Sequence, residues 1–310
     1  MSPASIAAPE LAGGEGEAAR GPAPQTRPFQ WSVRRELWEN RSIWLAPLAV
    51  GVFAVVALVI HAVTMPSHMP GMLANDPATP GSASVTYRVA ALLMLVTAFV
   101  VGAFYSLETL SSERRDRSIL FWKSLPVSDA TTVAAKACIP LVVLPLVTFA
   151  VIVAMHLALL LLSTLALAVQ GQSAAPLWRE VAPFSLGGAL LYSIVAMVPW
   201  HAPLYAFLML VSGWARRTAV LWAVLPLLVL GLLEKLTMDT LHVAHWVQAR
   251  LIGWYGVAFA APAPEHVPFT PGATLTPGRF VTTPSLWIGL AVAAVLLAAA
   301  VRMRRHREPV

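Results

Sequence analysis

The sequence predicts an all-α integral membrane protein, and three observations carry that prediction. Charged side chains are scarce, apolar runs long enough to cross a bilayer recur six times, and basic residues gather in alternate connections between the runs. Of 310 residues, 58% are hydrophobic and 12% are Asp, Glu, Lys or Arg, whereas a soluble globular chain carries roughly 25% charged residues. Mean hydropathy is +0.71. Half the usual charge does not solvate the surface of a water-soluble domain of this size, so the apolar helices are read as facing lipid.

A hydrocarbon core about 30 Å thick takes about 20 helical residues at 1.5 Å each. Runs of that character occupy 44–64, 89–107, 137–169, 181–214, 219–233 and 286–301. The third and fourth exceed one bilayer thickness and must tilt, bend or project. Pro140, Pro145, Pro199 and Pro203 mark the expected bends, because proline removes a backbone hydrogen bond and crowds the preceding turn.

Orientation follows from the basic residues. With the N-terminus in the cytoplasm, Arg20, Arg27, Arg34, Arg35, Arg41, Arg114, Arg115, Arg117, Lys123, Lys136, Arg216, Arg217, Arg302, Arg304, Arg305 and Arg307 fall inside. That is 16 of 21, leaving Arg88, Arg179, Lys235, Arg250 and Arg279 outside. The split alternates across six spans and places both termini in the cytoplasm. The net charge of +6 and pI near 10.0 therefore report topology and give no support to a nucleic-acid partner.

Residues 1–28 are rich in Ala, Gly, Pro and Glu without apolar periodicity and read as a disordered cytoplasmic tail; 302–310 form a basic tail. Glu10, Glu15 and Glu17 stand where a signal peptide needs basic residues, and the first apolar run is long enough to span. Arg34-Arg35 does not read as a twin-arginine signal, since Glu36 follows it. The single cysteine, Cys138, sits in an apolar run and reads as a buried small residue, with no disulfide or metal chemistry.

Two segments outside the runs carry more information. Phe29 to Arg41 is helix-compatible, with Val33, Leu37 and Trp44 near one side and Arg34 four residues before Trp38, the spacing for a cation–π contact. Arginines beside aromatic rings suit the headgroup layer, so Arg34, Arg35, Leu37 and Trp38 are assigned to an interfacial helix. A straight extension of the first span is the competing reading. Between spans two and three, the second helix is expected to continue into the cytoplasm, with Glu113 and Arg117 spaced as an i,i+4 pair. The charges then meet Ile119-Leu120-Phe121-Trp122, Pro126 breaks the chain, and Ser128 with Asp129 caps the next helix. An aromatic anchor with a charged rim is what a docking surface for a soluble partner needs.

The stretch Glu113-Arg-Arg-Asp-Arg-Ser-Ile-Leu-Phe-Trp-Lys-Ser-Leu-Pro-Val-Ser128 resembles a motif of bacterial ABC type-2 permeases, the membrane subunits of ATP-binding-cassette exporters. Arg35-Glu-Leu-Trp-Glu-Asn-Arg41 and Trp214-Ala-Arg-Arg217 are similar to the same group. The resemblance covers roughly 29–301, which it makes a six-span permease domain. It implies a homodimer or paired permease in a bacterial inner membrane, moved by separate ABC ATPase subunits to drive efflux. Carried over, Glu113, Arg114, Arg115, Asp116, Arg117, Ile119, Phe121, Trp122 and Lys123 form the ATPase contact, and Phe29 to Arg41 is the interfacial helix beside membrane lipid.

The sequence holds no phosphate-binding loop, nucleophile elbow or His-Glu-x-x-His pair. An enzymatic activity and a cofactor of its own are therefore not expected, and ATP hydrolysis falls to the partner. Two alternatives remain. Asp239, His242 and His245, spaced three apart between spans five and six, make a zinc-enzyme set, although the segment fits an amphipathic helix on the outer leaflet at least as well. His201, beside Trp200 and between Pro199 and Pro203, marks a candidate substrate path or the centre of a proton-coupled transporter. A neutral histidine hydrogen-bonded between helices is the plainer account of it. Proton coupling fits poorly with spans read as lacking Asp, Glu, Lys and Arg.

Overall fold

The computed structural model describes residues 27–64, 82–112, 127–215, 218–260 and 274–306, of which 89% are helical. The helices are α1 (Pro28–Glu39), α2 (Ser42–Thr64), α3 (Ser82–Glu108), α4 (Asp129–Cys138), α5 (Leu144–Val169), α6 (Ala175–Val181) and α7 (Pro183–Trp214). They continue with α8 (Ala219–Met238), α9 (His242–Ala258), α10 (Pro277–Thr282) and α11 (Pro284–His306). Five helical stretches are long and apolar enough to cross a membrane, with a sixth if α1 and the start of α2 are counted together. The protein is thus a membrane-embedded helical bundle. Its one departure from all-α among the described residues is a two-residue antiparallel pairing, β1 (Phe259–Ala260) with β2 (Thr274–Leu275).

Several helix ends fall where local chemistry favours them. Ser128 accepts a hydrogen bond from the Thr131 amide at 3.1 Å, and Asp129 stands in the first turn of α4, so the expected cap forms. At Pro140, which has no amide hydrogen to donate, α4 passes into a π-helical turn, Ile139–Val143, and then into α5. The result is one continuous stretch, Asp129–Val169. Gly171, at φ +70°, closes α5 in the left-handed region. Helix α7 runs unbroken through Pro199 and Pro203. The fourth apolar run is divided near its start by Ala182, at φ 43°, which separates α6 from α7. Cys138 is only partly buried, so it is not the enclosed core residue expected of it.

Close packing of two helix pairs depends on glycine. A Cβ at Gly51 of α2 would lie 3.1 Å from Val151 of α5, and one at Gly102 of α3 would lie 3.1 Å from the Tyr205 ring of α7. The largest core cluster draws Met94, Ile152, Leu160 and Leu190 together, all fully or nearly fully buried. Outer positions remain apolar: Phe53, Leu161, Leu228, Leu236 and Val295 are all exposed, as lipid-facing side chains are. Helix α11 packs most extensively against α7. The Ser212 hydroxyl of α7 accepts from the amides of Leu110 and Ser111, while Asp129 of α4 meets Arg304 of α11. The last turns of α3, α7 and α11 and the first turn of α4 are therefore gathered at one end of the bundle.

Candidate functional site

At that end, α4 is held from two sides by ion pairs. Lys136 reaches Glu36 of α1 at 2.8 Å, both side chains being about 3% exposed. The same glutamate accepts from the Tyr105 hydroxyl of α3 at 2.8 Å and from Arg35 at 2.9 Å, and Lys136 also donates to the Thr109 hydroxyl at 3.2 Å. Asn40 donates to the Glu36 carbonyl. Each carboxylate oxygen of Glu36 thus has a charged or hydroxyl donor, which is the condition for an ion pair to be tolerated away from water. About two turns earlier in α4, Arg304 of α11 donates to Asp129 at 2.9 Å. The helix that emerges from 113–126 is therefore fixed to α1 by one end and to α11 by the other.

Helix α1 meets α2 at 51°, so it is not a straight extension of the first span. The Arg34 guanidinium lies 5.4 Å from the Trp38 ring and 5.6 Å from the Trp31 ring, and both tryptophans are exposed. Leu37 and Val33 turn inward to the cluster of Ile43, Tyr105 and Ile139. Glu113, Arg114, Arg115, Asp116, Arg117, Ile119, Phe121, Trp122 and Lys123 lie outside the described residues, as do Arg216 and Arg217.

The second concentration of polar groups lies midway along α7. Trp200 and His201 stand roughly 20–27 Å from either helix end at 1.5 Å per residue. The Trp200 indole donates to the Ala249 carbonyl at 3.1 Å, and His201 Nε2 to the Leu251 carbonyl at 2.9 Å. Helix α9 therefore runs beside the middle of α7, and the Tyr192 hydroxyl bonds Ala258 at its far end. Between them, the Arg250 guanidinium covers the Trp200 ring at 5.3 Å and donates to the Ser285 carbonyl of α11 at 3.0 Å. Gly289 makes room for it, since a Cβ there would come within 2.7 Å of Arg250 Nη1. Phe99 and Tyr205 border the imidazole, with ring centroids 4.9 and 6.4 Å from it. No family model, curated protein or solved structure matches the chain.

The zinc set does not assemble. Asp239 pairs with Lys235, and His242 Nδ1 lies 2.8 Å from Glu234. Among the described residues no three His, Cys, Asp or Glu side chains are placed to hold a metal ion. Glu234 instead closes the α8–α9 corner: its carboxylate accepts from the His242 amide at 2.6 Å, the Val243 amide at 2.8 Å and the Thr240 hydroxyl at 2.7 Å. It caps a helix that starts eight residues later, using free N-terminal amides that attract a negative charge.

Two charged side chains lie close to the apolar runs: Lys136, just before the run 137–169, is 2% exposed with Glu36 against it, and Arg250 of α9 lies over the Trp200 ring of α7. The sequence carried one signal for Glu36, its position on the inward side of a helix whose outward side holds Trp31, Arg34 and Trp38. For Arg250 it carried none.

Proposed function

We propose that this chain is the permease subunit of an ABC exporter, with the end bearing Glu36, Lys136, Asp129 and Arg304 turned to the cytoplasm of a bacterial cell. The observation that carries the reading is the double fixing of α4. The segment whose sequence resembles the ATPase-contact motif runs directly into a helix clamped by Lys136–Glu36 to α1 and by Asp129–Arg304 to α11. A push on that segment by a nucleotide-driven partner is delivered at once to the interfacial helix and to the last span. Rigid ion pairs transmit displacement where a flexible connection would absorb it. The exposed Trp31 and Trp38 flanking Arg34 suit lipid headgroups on the same side. Two permease subunits, identical or paired, would enclose the path, with Trp200 and His201 beside it.

The test is purification of the full chain with the product of the neighbouring reading frame. A complex with ATPase activity is expected, and Arg115→Glu and Trp122→Ala should uncouple or release the ATPase while leaving membrane insertion intact. If both variants retain the ATPase and its stimulated activity as wild type does, the docking assignment is wrong.

A further inference from the structure

One side of α1 alternates arginine with tryptophan. Trp31, Arg34 and Trp38 follow one another at intervals of three and four residues, which places them on one side of a helix, and the Arg34 guanidinium lies 5.6 and 5.4 Å from the two rings. Arg27 stands four residues before Trp31 and Arg41 three after Trp38, at the two ends of the helix. All five side chains are exposed, Trp31 to 64% and Trp38 to 72%. The acids of α1 are engaged elsewhere: Glu36 is buried against Lys136, and Glu39 pairs with Arg35. No carboxylate among the described residues forms an ion pair with Arg27, Arg34 or Arg41.

Two bare indoles are better placed against apolar groups than in water, and three guanidiniums without a carboxylate attract an external counter-charge. The position of the helix brings the two needs together. Val33 and Leu37 turn inward to the bundle, and Arg41 leads directly into α2, whose exposed side chains include Leu45, Leu48, Val52 and Phe53. The exposed surface thus changes from arginine and tryptophan to aliphatic and phenyl groups at the 51° bend, as it does where a chain passes from headgroups into hydrocarbon. A zwitterionic headgroup brings its own cation with its phosphate and leaves the arginines uncompensated. A headgroup of net negative charge compensates them, its phosphate accepting from a guanidinium while the indoles lie at the level of the headgroups.

We infer that the outward side of α1 is a docking surface for anionic phospholipid, with Arg27, Arg34 and Arg41 taking the phosphates and Trp31 and Trp38 anchoring the helix between them. This deepens the permease reading and rests on it for one point, that α1 lies along the membrane surface. It requires no ATPase.

The test uses the full chain in nanodiscs of mixed phosphatidylcholine and phosphatidylglycerol, and reads tryptophan fluorescence when one lipid or the other carries bromine on its acyl chains as a quencher. The signal of Trp31 and Trp38 is the difference from the Trp31→Phe/Trp38→Phe variant. Brominated phosphatidylglycerol is expected to quench that signal more than brominated phosphatidylcholine, by a preference of about fivefold or more, the contribution of a single arginine near an anionic surface. Added salt should reduce the preference. Arg27→Gln, Arg34→Gln and Arg41→Gln together should abolish it, whereas Arg279→Gln, on an exposed residue of α10, should not change it. If the triple variant fails to fold by gel filtration, Arg34→Gln alone carries the test through a partial loss, with Arg34→Lys retaining the preference. Equal quenching by the two lipids, or a preference that survives in the folded arginine variants or falls equally with Arg279→Gln, overturns the anionic site and leaves α1 an interfacial helix without headgroup choice. If neither lipid quenches the pair, this side of α1 does not meet the membrane and a soluble partner or a second copy is its occupant, which overturns the inference together with the interfacial position. An ATPase that co-purifies without the lipid preference leaves the permease reading standing, and the preference without an ATPase leaves the lipid surface standing.

Discussion

Glu36 and Arg250 are both charged side chains drawn in among apolar helices, and their surroundings are opposite. Around Glu36, four groups from three helices and the adjoining turn converge: Lys136, Tyr105, Thr109 through Lys136, and Arg35. Around Arg250 there is a backbone carbonyl, an aromatic face and a glycine-lined gap. A network closed on itself holds three helices in one arrangement, whereas Arg250 is held by one carbonyl and by packing against an aromatic face. The difference separates a joint made by charge from one made by fit.

Variants that open the closed network should have the largest effects on stability. Lys136→Met leaves the Glu36 carboxylate buried without its main partner, and removing one member of a buried pair costs about 3–5 kcal/mol. The thermal unfolding midpoint in detergent should fall accordingly, and Glu36→Leu combined with Lys136→Met should recover most of the loss, since a well-packed apolar replacement is often neutral. A double variant as unstable as the single one would show that the pairing is not the source. Arg304→Met should cost less, about 1.5–3 kcal/mol, because the Asp129 side chain is 22% exposed and keeps part of its hydration when the arginine is gone. The smallest change is expected away from both regions: Glu234→Gln should leave the midpoint nearly unaltered but speed amide hydrogen exchange at His242 and Val243, whose N–H groups it caps. Unchanged exchange there would remove the capping role.

How much of this was legible in the sequence varies with the range of the forces involved. The apolar runs beginning at Trp44, Val89, Ala137, Val181, Ala219 and Leu286 each fall within or beside an observed helix, because span length and apolarity are properties of contiguous residues. The Ser128 cap and the Arg34–Trp38 contact were legible for the same reason, their partners lying three and four residues away. Lys136 and Glu36 are separated by 100 residues, and Trp200 and Ala249 by 49. No local periodicity encodes such pairs, so Lys136 looked like an ordinary flanking cation and Arg250 like an exposed outer one. The zinc set failed on similar grounds. Spacing alone suggested convergence, but Lys235 and Glu234 claimed two of the three side chains.

The π-helical turn at Ile139–Val143 has a consequence for rotational phase. Each residue advances an α-helix by about 100°, and a π-turn accommodates a residue beyond the α-helical count. Below it Val133, Lys136 and Ala137 face inward, and above it Leu144, Thr148, Ile152 and Met155 do so. The surplus residue brings these two inward stripes into line. Deleting one residue from the turn would swing Lys136 about a quarter-revolution relative to the upper stripe, carrying its ammonium from Glu36 toward lipid. The alignment of a charge with a core formed several turns away thus hangs on the count of residues between them.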